Sequence, residues 1–171
     1  MLQRHRAALV ALLLSLALAS PARAQEQGSW LDLGIGGGNN GANLELAVTR
    51  RKGIHGLTFR GMAAFRSQIT LFTEKSSTRA LADVGLLYGV HGRAGALLGF
   101  ARAGVGALWF DQNGTGGTKS GSTQGFGVPW ETGGTLLFGR NFGIGFRVAG
   151  NLNGIRNNVA GIVTLHFGKA Y

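Results

Sequence analysis

The sequence predicts an all-β chain: eight antiparallel strands closed into an up-and-down transmembrane barrel, preceded by a cleavable export signal. Three observations carry this. Eight segments alternate apolar and polar residues at period two. Splitting them by parity leaves one face continuously apolar and the other small and polar. The links between segments alternate in length through the middle of the chain.

The segments are Ser29–Gly36, Asn43–Arg50, Gly56–Arg66, Ala80–His91, Ala96–Phe110, Gln124–Phe138, Phe142–Leu152 and Val159–Tyr171. In the first three, the apolar face reads Leu31, Leu33, Ile35, then Leu44, Leu46, Val48, then Leu57, Phe59, Ala63, Phe65. The fourth and fifth supply Ala82, Val84, Leu86, Tyr88, Val90 and Leu97, Ala101, Ala103, Val105, Ala107, Trp109. The sixth adds Phe126, Val128, Trp130, Leu136 and Phe138. The last two add Phe142, Ile144, Phe146, Val148, Leu152 and Val159, Val163, Leu165, Phe167, Tyr171. Arg50 and Lys169, at segment ends, are the two charges on this face within the segments.

The opposite face carries Asp32, Glu45, Arg60, Asp83, His91, Arg102, Glu131, Arg147 and His166, its other positions being largely Gly, Ala, Ser and Thr with a few larger apolar residues. Such alternation fits a soluble barrel with the apolar face inward, or a membrane barrel with that face toward lipid. Composition favours the second. Charged residues make up 14% of the chain, against about 25% in a soluble domain. The apolar face is also too rich in aromatics to fill an eight-strand interior, which has room only for side chains. Tyr88, Phe138, Phe142 and Tyr171 fall near one set of strand ends, and Phe65, Trp109 and Phe126 near the other, as two interfacial girdles would.

The links are Gly37–Ala42, Arg51–His55, Ser67–Arg79, Gly92–Gly95, Asp111–Thr123, Gly139–Asn141 and Asn153–Asn158. Short links are expected on the periplasmic side and long ones outside. Residues 1–24 read as a secretory signal: Arg4 and Arg6, the apolar run Ala7–Ala19, then Pro21-Ala22-Arg23-Ala24. Cleavage after Ala24 leaves a barrel domain over 25–171. Three arginines leave with the signal, so 14 basic and 7 acidic side chains remain, a formal charge of +7 against +10 for the whole chain.

The inward-parity charges Asp32, Glu45, Arg60, Asp83, Arg102, Glu131 and Arg147 are expected to pair as a buried network that plugs the lumen. The alternative is a gated ion path through rearranged pairs. Arg50, Arg51 and Lys52, with Arg93 and Arg140, are expected on the periplasmic rim. Lys75, Arg79, Lys119 and Arg156 are candidates for contact with lipopolysaccharide phosphates. No cofactor or metal is expected: cysteine is absent, and Gly34-Ile35-Gly36-Gly37-Gly38-Asn39 lacks both the third glycine and the helix of a dinucleotide loop. Nucleic acid is not an expected partner, because the basic residues are not interleaved with stacking aromatics.

The closing run Val163-x-Leu165-x-Phe167-x-Lys169-x-Tyr171 resembles the C-terminal signal read by the barrel assembly machinery, with Tyr171 where Phe is commoner. The sequence resembles the small eight-stranded outer-membrane barrels of the OmpA/OmpX-like superfamily. It is also similar to a family of uncharacterised outer-membrane barrel domains through Gly127-Val128-Pro129-Trp130-Glu131, Gly143-Ile144-Gly145, Asn151-Leu152-Asn153 and Phe167-Gly168-Lys169. The resemblance implies fold and an outer-membrane location and no established activity; the expected role is structural or surface-interactive, and the expected state is a monomer. A lipid A-modifying enzyme is the alternative, yet no serine stands near His55, His91 or His166 in sequence. A soluble periplasmic barrel that binds a small apolar ligand is the other.

Overall fold

The computed structural model describes residues 27–70, 75–114 and 120–170. The predicted signal 1–24, Lys119 and Tyr171 lie outside them. Eight strands follow in order: β1 Gln27–Gly38, β2 Gly41–Lys52, β3 His55–Thr70, β4 Lys75–Ala94, β5 Leu97–Gly114, β6 Gly121–Phe138, β7 Phe142–Asn153 and β8 Asn158–Lys169. Each pairs antiparallel with the next, and β8 pairs with β1, so the barrel is closed.

One lap of the ladder defines its stagger. Gly28 pairs with Arg51, then Gly56, Gly89, Arg102, Glu131, Ala149 and Ala160, and the lap returns to β1 at Gly38, ten residues beyond its start. Eight strands with that stagger tilt by about 40° and enclose a bore that side chains fill.

The strands are longer than the sequence pattern indicated. β3 runs through Thr70 and β4 starts at Lys75, so most of the expected loop Ser67–Arg79, Arg79 included, is ladder. The ends of Asp111–Thr123 belong to β5 and β6 in the same way. The expected link Gly37–Ala42 tightens to a turn at Asn39–Asn40. Hydrophobic alternation stops where the apolar band stops, but Ser- and Thr-rich chain still gains backbone hydrogen bonds by continuing the hairpin.

At the other end, which also carries both described chain ends, the links are two or three residues long. Gly53, Gly95 and Gly139 take φ of 61°, 60° and 75° there, a left-handed conformation that favours glycine. This is called the turn end below, and the opposite end the loop end. Arg51 and Lys52, expected in a turn, are the last residues of β2.

Alternation is preserved along the wall. Leu33, Ile35, Leu44, Leu46, Val48, Phe59, Leu86, Phe146 and Leu165 are exposed on the outside, and Phe126 reaches 88% exposure. Of the girdle aromatics, Tyr88, Phe138, Phe142, Phe65 and Trp109 are exposed as well. The β5–β6 ladder pairs Ala103 with Trp130 and Gly106 with Gly127, and skips the positions between. Pro129 sits in that gap without an N–H to donate.

Candidate functional site: a charged layer buried inside the barrel

Each strand sends one polar, titratable side chain to the middle of the bore. In chain order they are Asp32, Glu45, Arg60, Asp83, Arg102, Glu131, Arg147 and His166, and all eight are buried. A single parity on every strand places them there, because inward positions recur at every second residue.

Arg147 is the hub. Its Nη1 donates to Glu45 Oε1 at 2.6 Å and Glu131 Oε2 at 3.2 Å, and its Nη2 lies 2.8 Å from Asp32 Oδ2. Arg102 donates through Nε to Glu131 Oε1. Its Nη1 donates to Thr49 Oγ1 at 2.8 Å and Thr58 Oγ1 at 2.7 Å. Asp32 accepts further bonds from His166 Nδ1 at 2.9 Å and Trp30 Nε1 at 3.1 Å. Arg60 forms a separate pair with Asp83 at 2.9 Å and also donates to the carbonyls of Trp130 and Gly150.

The ring of Phe100 lies under two of the guanidiniums, 4.5 Å from Arg102 Cζ and 5.1 Å from Arg147 Cζ. Stacking suits arginine, whose planar cation is weakly hydrated. Burial makes the network mutually dependent. A lone buried charge is costly, and guanidinium and carboxylate satisfy each other only while all partners stay in place.

Apolar clusters flank the charges on both sides within the bore. Toward the turn end, Trp30, Leu98, Leu137 and Ala170 pack together. Toward the loop end, Ala64, Leu81 and Leu108 pack together, with Phe110 and Ile155 against them. Sequence reading assigned the inner face mainly to small residues and missed these clusters. The signal was present: Trp30 stands two residues from Asp32, and Phe100 two from Arg102, on the same parity.

One other sequence reading changes, that of Arg51. Arg51 is buried on the inner face, not exposed on a basic rim, because β2 continues its alternation to Lys52. His91 also points inward, with its ring 5.5 Å from Trp30 and 5.9 Å from Phe100. A Cβ on Gly56 would run into that imidazole, so a residue without a side chain gives His91 its space.

The four outer cations fall in different settings. Arg79 lies within β4 on the inward parity, directly opposite Arg66 on β3. Arg156, in the β7–β8 link, donates through Nε to Asn40 Oδ1 at 2.6 Å and lies over the Phe110 ring. Lys75 opens β4, and Lys119 is outside the described residues. Around Arg156, asparagines tie the loop end together. Asn40 Nδ2 donates to Asn158 Oδ1, and Asn158 Nδ2 to Asn43 Oδ1. Asn39 and Asn40 both donate to the Asn157 carbonyl.

A closed eight-strand antiparallel sheet, apolar outside and charged within, decides the fold. It is that of a small outer-membrane β-barrel. The N-terminal β-barrel domain of Pseudomonas aeruginosa OprF is similar, with a TM-score of 0.61 at 10% identity over 84% of this chain and 98% of that one. Ail, the attachment invasion locus protein of Yersinia pestis, is similar with a TM-score of 0.54 at 10% identity, over 85% and 98%. Ail in a phospholipid bilayer nanodisc matches with a TM-score of 0.52 at 11% identity, over 84% and 99%. At these identities the likeness is one of fold. No family model matches the chain, and no curated protein matches it significantly.

Proposed function

We propose that the chain is an exported, monomeric outer-membrane wall protein. Its barrel is closed to solute, and its role is structural or surface-interactive rather than catalytic. The observation that carries this is the one-per-strand charge layer, buried between two apolar clusters. An outside that is apolar over most of its height supports insertion into lipid, since closed barrels leave no backbone group unsatisfied there. Under this reading residues 1–24 direct export, the barrel assembly machinery inserts the chain through its β8 pattern, and the turn end faces the periplasm.

Catalysis on lipid A is disfavoured by position. His166 and Asp32 form a His–carboxylate pair, but both are buried inside the bore, where an acyl chain in the surrounding leaflet does not reach them. At the loop end, the reading places Lys75, Arg79, Lys119 and Arg156 near anionic lipopolysaccharide groups, and neutralising all four should weaken lipopolysaccharide binding.

Planar-bilayer recording tests the sealed bore. The folded protein should show no stable conductance. Stable channels that change when Glu131 or Arg102 is replaced would overturn the proposal. Cell fractionation tests location: release from membranes by carbonate would exclude an integral barrel.

A further inference from the structure

The outer wall has one seam at which its lipid-facing pattern ends in a specific way. On β8, β1 and β2, outward residues line up in rows across the ladder. Val163, Ile35 and Leu44 form one row, Leu165, Leu33 and Leu46 the next, and Phe167, Leu31 and Val48 the third. Eight of these nine are exposed, and Leu31 is half-buried. The next row toward the turn end is Lys169, Ser29 and Arg50. All three are exposed, as is Lys52, one outward position further along β2.

We propose that this seam is a binding seat for an anionic phospholipid, with its phosphate between Arg50 and Lys169 over Ser29 and an acyl chain along the three apolar rows. The spacing suits it. Arg50 and Lys169 stand two strands apart, about 10 Å between Cα atoms, and both carry long flexible side chains that can close on one phosphate. Ser29 between them is short, which leaves a notch, and its hydroxyl can donate to a phosphate oxygen. The change from apolar to cationic takes one outward step, roughly 7 Å along each strand. That is the distance over which a lipid changes from chain to headgroup.

Charge complementarity selects an anionic lipid over a zwitterionic one. Besides these residues, Arg93 and Arg140 are exposed at the same end, and among the described residues no carboxylate stands there. Asp32, Glu45, Asp83 and Glu131 are all inside the bore, and Asp111 is near the loop end of β5.

The inference rests on the outer-membrane reading above but is tested apart from it, on purified folded protein in neutral detergent. Native mass spectrometry is run with equal amounts of phosphatidylglycerol and phosphatidylcholine. The native chain should retain one phosphatidylglycerol with several-fold preference. Arg50→Gln/Lys169→Gln should bring the ratio near parity, while Arg93→Gln/Arg140→Gln, at the other two turns, should leave the preference in place. Heat-modifiable migration in gels confirms that each variant is folded. Should the double variant not fold, Ser29→Glu places a carboxylate in the notch and should abolish the preference alone.

Equal retention of both lipids by the native chain would overturn the seat. So would a preference that survives the seam variants, or one lost only in the Arg93/Arg140 variant. Complete displacement by excess inorganic phosphate would also overturn it, by showing an ion site rather than a lipid site. A barrel that fractionates with the outer membrane yet shows no lipid preference defeats this inference alone. A lipid preference in a protein found elsewhere in the cell defeats the location alone.

Discussion

Arg102 and Glu131 face each other directly across the β5–β6 ladder and are ion-paired within the bore. Glu131 also accepts from Arg147, so one carboxylate serves two guanidiniums from the strands on either side of its own. Removing it takes away the near carboxylate of Arg102 and leaves Arg147 with Glu45 and Asp32. Glu131→Ala should therefore cost about 3–5 kcal/mol of folding stability, read by urea unfolding in lipid vesicles. Replacing the cross-strand pair together, Arg102→Met with Glu131→Leu, should cost less than Glu131→Ala, because no buried charge then loses its nearest partner. A double variant as unstable as the single one would contradict this.

The outside wall makes an opposite demand. Leu46 lies in the middle of three apolar rows and is half-exposed to the surroundings. Leu46→Arg should destabilise the vesicle-folded barrel by about 2–4 kcal/mol, the range for a cation near the bilayer midplane. The same replacement at Lys52 should be nearly neutral. Equal effects at the two positions would place the lipid boundary wrongly.

Gly56 gives room to His91, and His91 packs edge-on against Trp30. Gly56→Val should displace the imidazole and loosen the apolar layer at the turn end. A loss of about 1–3 kcal/mol is expected from overpacking. Near-ultraviolet circular dichroism should report altered tryptophan packing, while the far-ultraviolet strand signal stays native.

At the loop end, Asn158 joins Asn40 to Asn43. Asn158→Ala removes both links from a fully buried position. The expected cost is about 1–3 kcal/mol, since Asn40 and Asn43 lose buried partners. Backbone amides of the β7–β8 link and the Asn39–Asn40 turn should exchange with solvent faster, measured by hydrogen–deuterium exchange. Unchanged exchange there would show that the asparagine ties do not hold the loop end.

Much of this was legible in the chain because a β-wall has a simple rule. Strand parity assigns each residue to one of two faces, and all nine inward titratable residues from Asp32 to His166 are found inside. The rule worked less well where alternation loses its contrast. Beyond the apolar band, residues such as Ser67, Thr78 and Arg79 are polar on both faces, so the hairpin between β3 and β4 read as loop although it continues as ladder. Trp30 and Phe100 were overlooked because bulky aromatics on the inner face run against the expectation of a small-residue lining.

By itself the amino-acid sequence determined the number of strands, their faces and the inventory of buried charge, because these depend on a local period of two. The partnerships were decided only by closure. Which acid meets which arginine depends on a ten-residue stagger accumulated over eight ladders, and no local pattern encodes that sum. The same closure brings β8 beside β1. It thereby sets Lys169 and Arg50 on either side of Ser29, and it gathers Asp32, Glu45 and Glu131 around Arg147.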